Sequence, residues 1–288
     1  MSAEDQKLTL AEYAGDLLKH NRLFVVGLVI ALGFFLIALM AAWIAPHDPL
    51  AIDFSAKLAS PSAEHFFGTD VLGRDIFSRV LHGTRTSLLT GVLVVSMALL
   101  IGLPVGLVAG YYGGRIDMVL MRVADVFLAF PPLLLPIAIT AALGPSLYNA
   151  LMALAISWFP WYARILRASV IAVKGELYVK SSQAMGMHPV RIMLKHALPN
   201  STTPVIVQAS MDFGYTILAA ASLSFIGMGA RPPTIEWGLM IASSRSIFLE
   251  YWWTAFFPGL AIFVLVWGAN LLGDGIRDLL DPHYSDKR

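Results

Sequence analysis

Six stretches of this chain are long and apolar enough to cross a membrane, and that limits the fold before any motif is considered. A bilayer core of about 30 Å takes about 20 helical residues to span. Such stretches fall at 23–45, 88–110, 119–142, 147–168, 204–229 and 254–272. Inside lipid each backbone N–H and C=O must find its partner within the protein, which leaves helices as the economical solution. Composition agrees: 57% of residues are hydrophobic and 14% charged, against about 25% charged for a soluble domain. The expected fold is therefore all-α, a polytopic membrane protein with six transmembrane helices. The first apolar run is longer than a signal-peptide core, and Glu4, Asp5, Glu12 and Asp16 precede it, so no cleavable signal peptide is expected.

Charge placement orients the map. Fourteen of the 20 Lys and Arg residues lie in or beside 1–22, 111–118, 169–203 and 273–288, and six (Lys57, Arg74, Arg79, Arg85, Arg231, Arg245) lie on the other side. The positive-inside rule then puts both termini and 169–203 in the cytoplasm, with 46–87 and 230–253 facing out. Trp43, Trp252 and Trp253 fall at the expected outer interface. The expected organisation is a cytoplasmic segment (1–22), a peripheral first helix (23–45), an extracytoplasmic segment (46–87), a five-helix core (88–272) containing the cytoplasmic loop 169–203, and a cytoplasmic tail (273–288). The net charge of +1 leaves no nucleic-acid footprint, and the absence of cysteine excludes disulfides and thiolate metal sites.

Between two apolar runs lies a polar, basic island, YVKSSQAMGMHPVRIMLKHALPN (178–200). It reads as a short helix, a break at Gly186, a second helix starting at Pro189 and a stop at Leu198-Pro199. Proline suits a first helical turn, and glycine permits a sharp reorientation. A helix–glycine–helix loop between spans is a docking element. On the other side, residues 67–88 alternate Gly68, Gly73 and Gly83 with Asp70, Arg74, Asp75, Arg79 and Arg85. One reading is a solvated loop whose ion pairs contribute about 0–1 kcal/mol each. The other is an ordered outer cap of glycine turns locked by Asp/Arg pairs, on which an extracytoplasmic partner lands.

Charges at bilayer depth point to function. Arg122 and Asp125, three apart in span 3, are expected to pair within their helix. Asp212 lies well inside span 5 with no basic residue in helical reach. It must face either another helix or a water-filled path, where Met211, Phe213 and Tyr215 beside it would form a gate. Pro131, Pro132 and Pro136 interrupt span 3, as in the broken helices of transporters.

Enzyme chemistry finds no footing. There is no His-Glu-x-x-His pair for a metalloprotease; Leu271-Leu272-Gly273-Asp274 lacks the first glycine of an aspartyl-protease motif; no histidine lies at bilayer depth for a serine dyad. No Gly-Lys dipeptide exists, so no P-loop is available to hold a nucleotide.

Several segments together resemble a known family: the inner-membrane permease of type I ABC importers, and within it the second permease of dipeptide and oligopeptide systems. The resemblance rests on FGTDVLGRD with SRVLHGTRTSL (67–88), SFIGMGARPPTIEWG (224–238) and LLGDGIRDLLDP (271–282). The island resembles the general importer motif of Glu-Ala-Ala, glycine and Leu-Pro. Gly186 and Leu198-Pro199 match, whereas Lys180-Ser181-Ser182 stands in the Glu-Ala-Ala position and replaces an acid with a base. The resemblance implies a permease of the bacterial inner membrane, paired with a sister permease, two cytoplasmic ATPases and a substrate-binding protein. ATP and Mg would be bound by the ATPases, with no cofactor in this chain. The cargo would be di- or oligopeptide, with glutathione or chelated nickel as alternatives. The island would be the ATPase-coupling element, using Tyr178, Lys180, Ser181, Ser182, Met185, Gly186, Met187, His188 and Arg191.

Overall fold

A computed structural model of the chain describes residues 21–280; the expected terminal segments at 1–20 and 281–288 lie outside the described residues. The elements are α1 (Arg22–Ile44), α2 (Ile76–Tyr112), α3 (Gly114–Leu128), α4 (Leu134–Leu143), α5 (Leu147–Lys174), α6 (Leu177–Ala184), α7 (Pro189–Ile192), α8 (Leu198–Ser201), α9 (Thr203–Phe225), α10 (Trp237–Ser243) and α11 (Trp253–Leu280). No strand occurs among the described residues, which hold only an isolated bridge between Thr69 and Asp75.

α1, α2, α9 and α11 are each long and apolar enough to cross a membrane alone. α5 has the length, at 28 residues, and carries Arg164, Arg167 and Lys174 towards one end. The remaining expected span is divided into α3 and α4 around Pro131-Pro132. A proline disfavours helical geometry in the residue before it and cannot donate to the preceding turn. Pro136 does not interrupt; it sits in the first turn of α4, where no donor is needed.

α2 begins twelve residues before the expected start of span 2. Asp75 caps it by accepting a hydrogen bond from Ser78 N at 2.8 Å. The polar residues that follow, among them Ser78, Arg79 and Thr84, are buried against protein rather than presented to lipid. A hydropathy window marks where lipid contact begins, not where a helix begins.

The bundle is assembled on seams without side chains. Gly102, Gly106 and Gly110 repeat every four residues along α2, and a Cβ at each would lie 2.7, 2.4 and 2.8 Å from the carbonyl oxygens of Phe159, Ala163 and Arg167 on α5. Small residues at this spacing let two backbones approach, the main source of helix attraction where lipid removes the hydrophobic drive. A second seam joins α1 to α11, with Gly27 against Leu272 N and Gly268 against Ile30. Asn21 Nδ2 donates to Asp278 Oδ2 at 3.2 Å beside it. The other faces of α1 are exposed, including Leu32, Phe35, Leu36 and Leu39.

Two functional ends follow from this topology. One gathers α6–α8 and the adjoining ends of α2 and α5, where Lys174 hydrogen-bonds Tyr111 O across the helix pair. The other gathers residues 45–75 and 226–252. There Trp43 and Trp252 are exposed, but Trp253 is buried under Gly68 and its Nε1 donates to Thr69 O at 3.3 Å, so it belongs to the packing rather than to an aromatic belt.

Candidate functional site

At the first end, α6 is closed by a glycine turn. Gly186 has φ of 75°, Gly186 N donates to Gln183 O at 3.0 Å and Met187 N to Ser182 O at 3.1 Å. This paired bond pattern with a left-handed residue is the Schellman ending of a helix. The chain then turns into α7 at Pro189, with His188 Nδ1 accepting from Val190 N at 3.3 Å. The expected stop at Leu198-Pro199 is not a stop. Residues Met193–Ala197 form a π-helical turn and helix resumes through α8. Proline at 199 cannot donate and crowds the carbonyl four residues back, and the wider turn opens the backbone there.

The loop has an anchored and an open face. Val179 and Ile192 are 0% and 1% exposed, fastening it to the bundle, whereas Leu177, Met185 and Leu194 are 80%, 75% and 55% exposed. Tyr178, Lys180, Ser181, Gly186, His188 and Arg191 share the open side, and Met187 is half-buried against the core. Ser182 does not: it is buried and its hydroxyl donates to Tyr178 O at 2.9 Å. Leu177, Val190 and Leu194 are exposed apolar neighbours that the motif comparison passed over; their signal was that apolar residues interrupt a polar loop.

Midway along the bundle, a cavity of about 420 Å³ is lined by α3–α4, α5 and α9. Asp212 and Tyr215, one helical turn apart, face it with Gln208, Ser157, Trp158 and Trp161. Asp212 Oδ1 accepts from Gln208 Nε2 at 2.9 Å, and the Tyr162 hydroxyl reaches the same carboxylate. The broken segment at Phe130–Pro132 forms another wall. Met211 and Phe213 are not in this cavity. Phe213 packs over Gly91 on α2, and the Met211 backbone lies against Gly273 on α11. Successive helical residues point about 100° apart, so the expected four-residue gate splits between two faces.

The Arg122–Asp125 pairing does not form; the acids of α3 bind α5 instead. Asp125 pairs with Arg164 and Asp117 with both donors of Arg167, tying the helices together.

At the second end the cap is ordered. Asp70 accepts from Leu72 N (2.8 Å) and Arg74 N (3.1 Å), holds the Arg74 guanidinium at 2.7 Å and sits 3.7 Å from Arg79. Arg79 is 4% exposed and also donates to Pro49 O at 2.9 Å. Gly68 and Gly73, with φ of 72° and 73°, make the turns, and Gly73 lies against the Asp53 carbonyl with no room for a side chain. Asp75 caps α2 and contacts His65 Nδ1 at 3.0 Å. Arg85 is not part of the cap: it is exposed and borders an apolar groove between α1, α2, α9 and α11. Below the cap, Glu236 accepts from Gly238 N and Leu239 N, both at 2.8 Å, and Trp237 Nε1 donates to Val80 O at 3.0 Å.

A strand-free bundle of membrane-length helices, with a broken span beside a polar cavity and an exposed loop at one end, defines a helical membrane permease. The chain belongs to the family of binding-protein-dependent transport system inner membrane components, whose model matches residues 102–286. The N-terminal transmembrane domain of oligopeptide transport permease C matches residues 10–61. The chain is 47% identical over 272 residues to the probable D,D-dipeptide transport system permease protein DdpC of Escherichia coli, covering 94% of this chain and 91% of the relative. It is also 47% identical over 281 residues to the dipeptide transport system permease protein DppC of Alkalihalophilus pseudofirmus, covering 97% and 92%. Its fold is similar to that of an inward-facing MetNI methionine ABC transporter chain, with a TM-score of 0.58 at 18% identity over 72% of this chain and 98% of the other. It is a permease subunit of an ABC importer rather than an enzyme, with ATP hydrolysis belonging to a separate subunit.

Proposed function

We propose that this permease forms half of a translocation pathway for di- or oligopeptides, with a sister permease supplying the other half. Two ATPases would dock on the loop of α6 and α7, and a substrate-binding protein would land on the cap built around Asp70. This places both chain ends and the loop in the cytoplasm and residues 46–75 outside, in accord with the distribution of Lys and Arg. Residues 23–45 would act as an added peripheral helix on the five-helix core.

The observation that carries this reading is the loop's open face. A soluble-side surface displaying Leu177, Met185 and Leu194 while Val179 and Ile192 are buried is a surface awaiting a partner. Tyr178, Lys180, Ser181, Met185, Gly186, His188 and Arg191 lie where they would meet it, Met187 supports it from beneath, and Ser182 holds α6 in shape. Nucleotide and Mg would be bound by the ATPases alone. Asp212, with Gln208 and Tyr215, supplies a polar wall midway along the bundle, suited to the amino group of a peptide.

The test is reconstitution with the sister permease, both ATPases and the binding protein in proteoliposomes. The expected result is ATP-dependent uptake of a labelled dipeptide that competes with unlabelled peptide. Uptake of nickel chelate or glutathione without peptide competition keeps the permease reading and rejects the peptide cargo.

A further inference from the structure

We propose that His47, His65 and Asp75 form a binding site for a late first-row divalent metal ion of the Zn²⁺ type, clipping the outer cap to the bundle. Three separate parts of the chain meet here. His47 follows the end of α1, His65 lies in the tight turn before Gly68, and Asp75 opens α2. One ligand atom from each falls within 4.8 Å of the others. Asp75 Oδ1 lies 3.0 Å from His65 Nδ1 and 3.8 Å from His47 Nδ1. Metal–ligand bonds of about 2.0–2.1 Å in a tetrahedron put neighbouring ligand atoms about 3.3–3.4 Å apart. The two separations bracket that value, so small rotations of the imidazoles suffice to close the site.

Two further observations favour an ion over a simple hydrogen-bonded cluster. His47 Nδ1 is buried and has no hydrogen-bond partner, a costly arrangement for a polar atom. Asp75 cannot satisfy it as well as His65: Oδ1 is engaged by His65 and Oδ2 by Ser78 N. A cation between the three would give His47 Nδ1 its partner without displacing the cap of α2. The ligands are also held from behind, as metal ligands commonly are. His47 N donates to Ser78 Oγ at 3.2 Å, His65 N donates to Ser62 Oγ at 3.1 Å, and Asp75 is fixed by its capping bond. The imidazole rings lie with centroids 4.8 Å apart and tilted by 36°, both addressing the same carboxylate. Two imidazoles and one carboxylate favour Zn²⁺, Co²⁺, Ni²⁺ or Cu²⁺ over Mg²⁺ or Ca²⁺. A water would complete four-coordination.

The consequence of binding is mechanical. The ion would join the chain just after α1, the turn around Ser62–Gly68 and the first residue before α2, closing a loop of 28 residues from 47 to 75. Metal affinity for such a site adds to the stability of the segment that supplies the ligands.

The test uses the full chain purified in detergent with a histidine-free tag and stripped with chelator. Zn²⁺ alone is titrated by calorimetry, and Co²⁺ alone by visible absorption. Expected is one tight Zn²⁺ equivalent, a Co²⁺ spectrum of tetrahedral intensity and a rise in thermal midpoint on metal addition. His47→Gln and His65→Gln should each weaken binding at least tenfold and abolish the thermal shift. His82→Gln, whose ring bonds Ser78 O instead, should retain both. His47 has a solvent-facing edge and no ring partner to lose, so its variant tests the site without removing a structural hydrogen bond. Absence of a tight equivalent in the unmodified chain, or its full retention in both His47→Gln and His65→Gln, overturns the site.

Discussion

Gly186 offers the sharpest test of how this permease meets its ATPases, because backbone and docking effects can be separated there. Its φ of 75° is left-handed, a conformation that costs an ordinary side chain about 1–2 kcal/mol. A Cβ at this position would meet nothing within 4 Å, so no steric clash inside the chain adds to that cost. Gly186→Ala therefore carries only the backbone penalty, which lowers the population of the closed turn by about 5- to 30-fold. Gly186→Asn carries less, since asparagine visits this region most readily after glycine. Gly186→Arg has the backbone cost of alanine plus a long side chain on the open face beside Met185. The assay is ATP hydrolysis by the reconstituted assembly with loaded binding protein, paired with peptide uptake. Expected is near-normal behaviour for Asn, a several-fold loss for Ala and loss of uptake for Arg with the bundle still folded. Lys180→Glu, on the same exposed face, should be tolerated. If Gly186→Arg equals Gly186→Ala, or keeps full stimulated hydrolysis and uptake, this loop is not the coupling surface.

Other expectations concern the bundle. Asp212→Asn removes the charge that Gln208 and Tyr162 address and should lower uptake by about tenfold, equivalent to about 1.4 kcal/mol, without lowering membrane abundance; unchanged uptake removes Asp212 from the path. Gly106→Ala puts a Cβ 2.4 Å from Ala163 O and should cost about 1–3 kcal/mol through overpacking, read as a lower thermal midpoint of the solubilised chain. A cysteine at Ser62 should react with impermeant maleimide in intact spheroplasts and one at Ser181 should not, both positions being exposed; the reverse pattern inverts the orientation. Ser182 is unsuitable for that probe because it is buried.

The features legible in the sequence are those written locally. Gly68, Gly73 and Gly186 marked turns because only a residue without Cβ takes positive φ at little cost, and Pro131-Pro132 marked the broken span for an equally local reason. The start of α2 was hidden because burial against protein, not lipid, surrounds Ser78 and Arg79. Pairings across helices were hidden too. Tyr162 lies 50 residues from Asp212, Arg164 lies 39 residues from Asp125, and no spacing rule joins them. The resemblance to the importer motif pointed to Ser182 as a contact residue, yet burial of that position follows from the helix face shared with Val179, which a motif alone does not reveal. His47 and His65 carried no signal at all, since one apolar-flanked histidine looks like another until the chain folds Asp75 between them.

The glycine seam between α2 and α5 has a consequence for force. With 37 residues at about 1.5 Å each, α2 is a rod of about 55 Å, and its carbonyl-to-glycine contacts with α5 leave no compressible side chains to absorb a push. A tilt of about 5° imposed where Tyr111 meets Lys174 would carry the far tip of such a rod by about 5 Å. That tip is the helix start held by Asp75, in the middle of the outer cap. A seam of missing side chains thus makes the pair a stiff lever, able to deliver a small cytoplasmic rotation to the opposite membrane face as a displacement the size of an amino-acid residue.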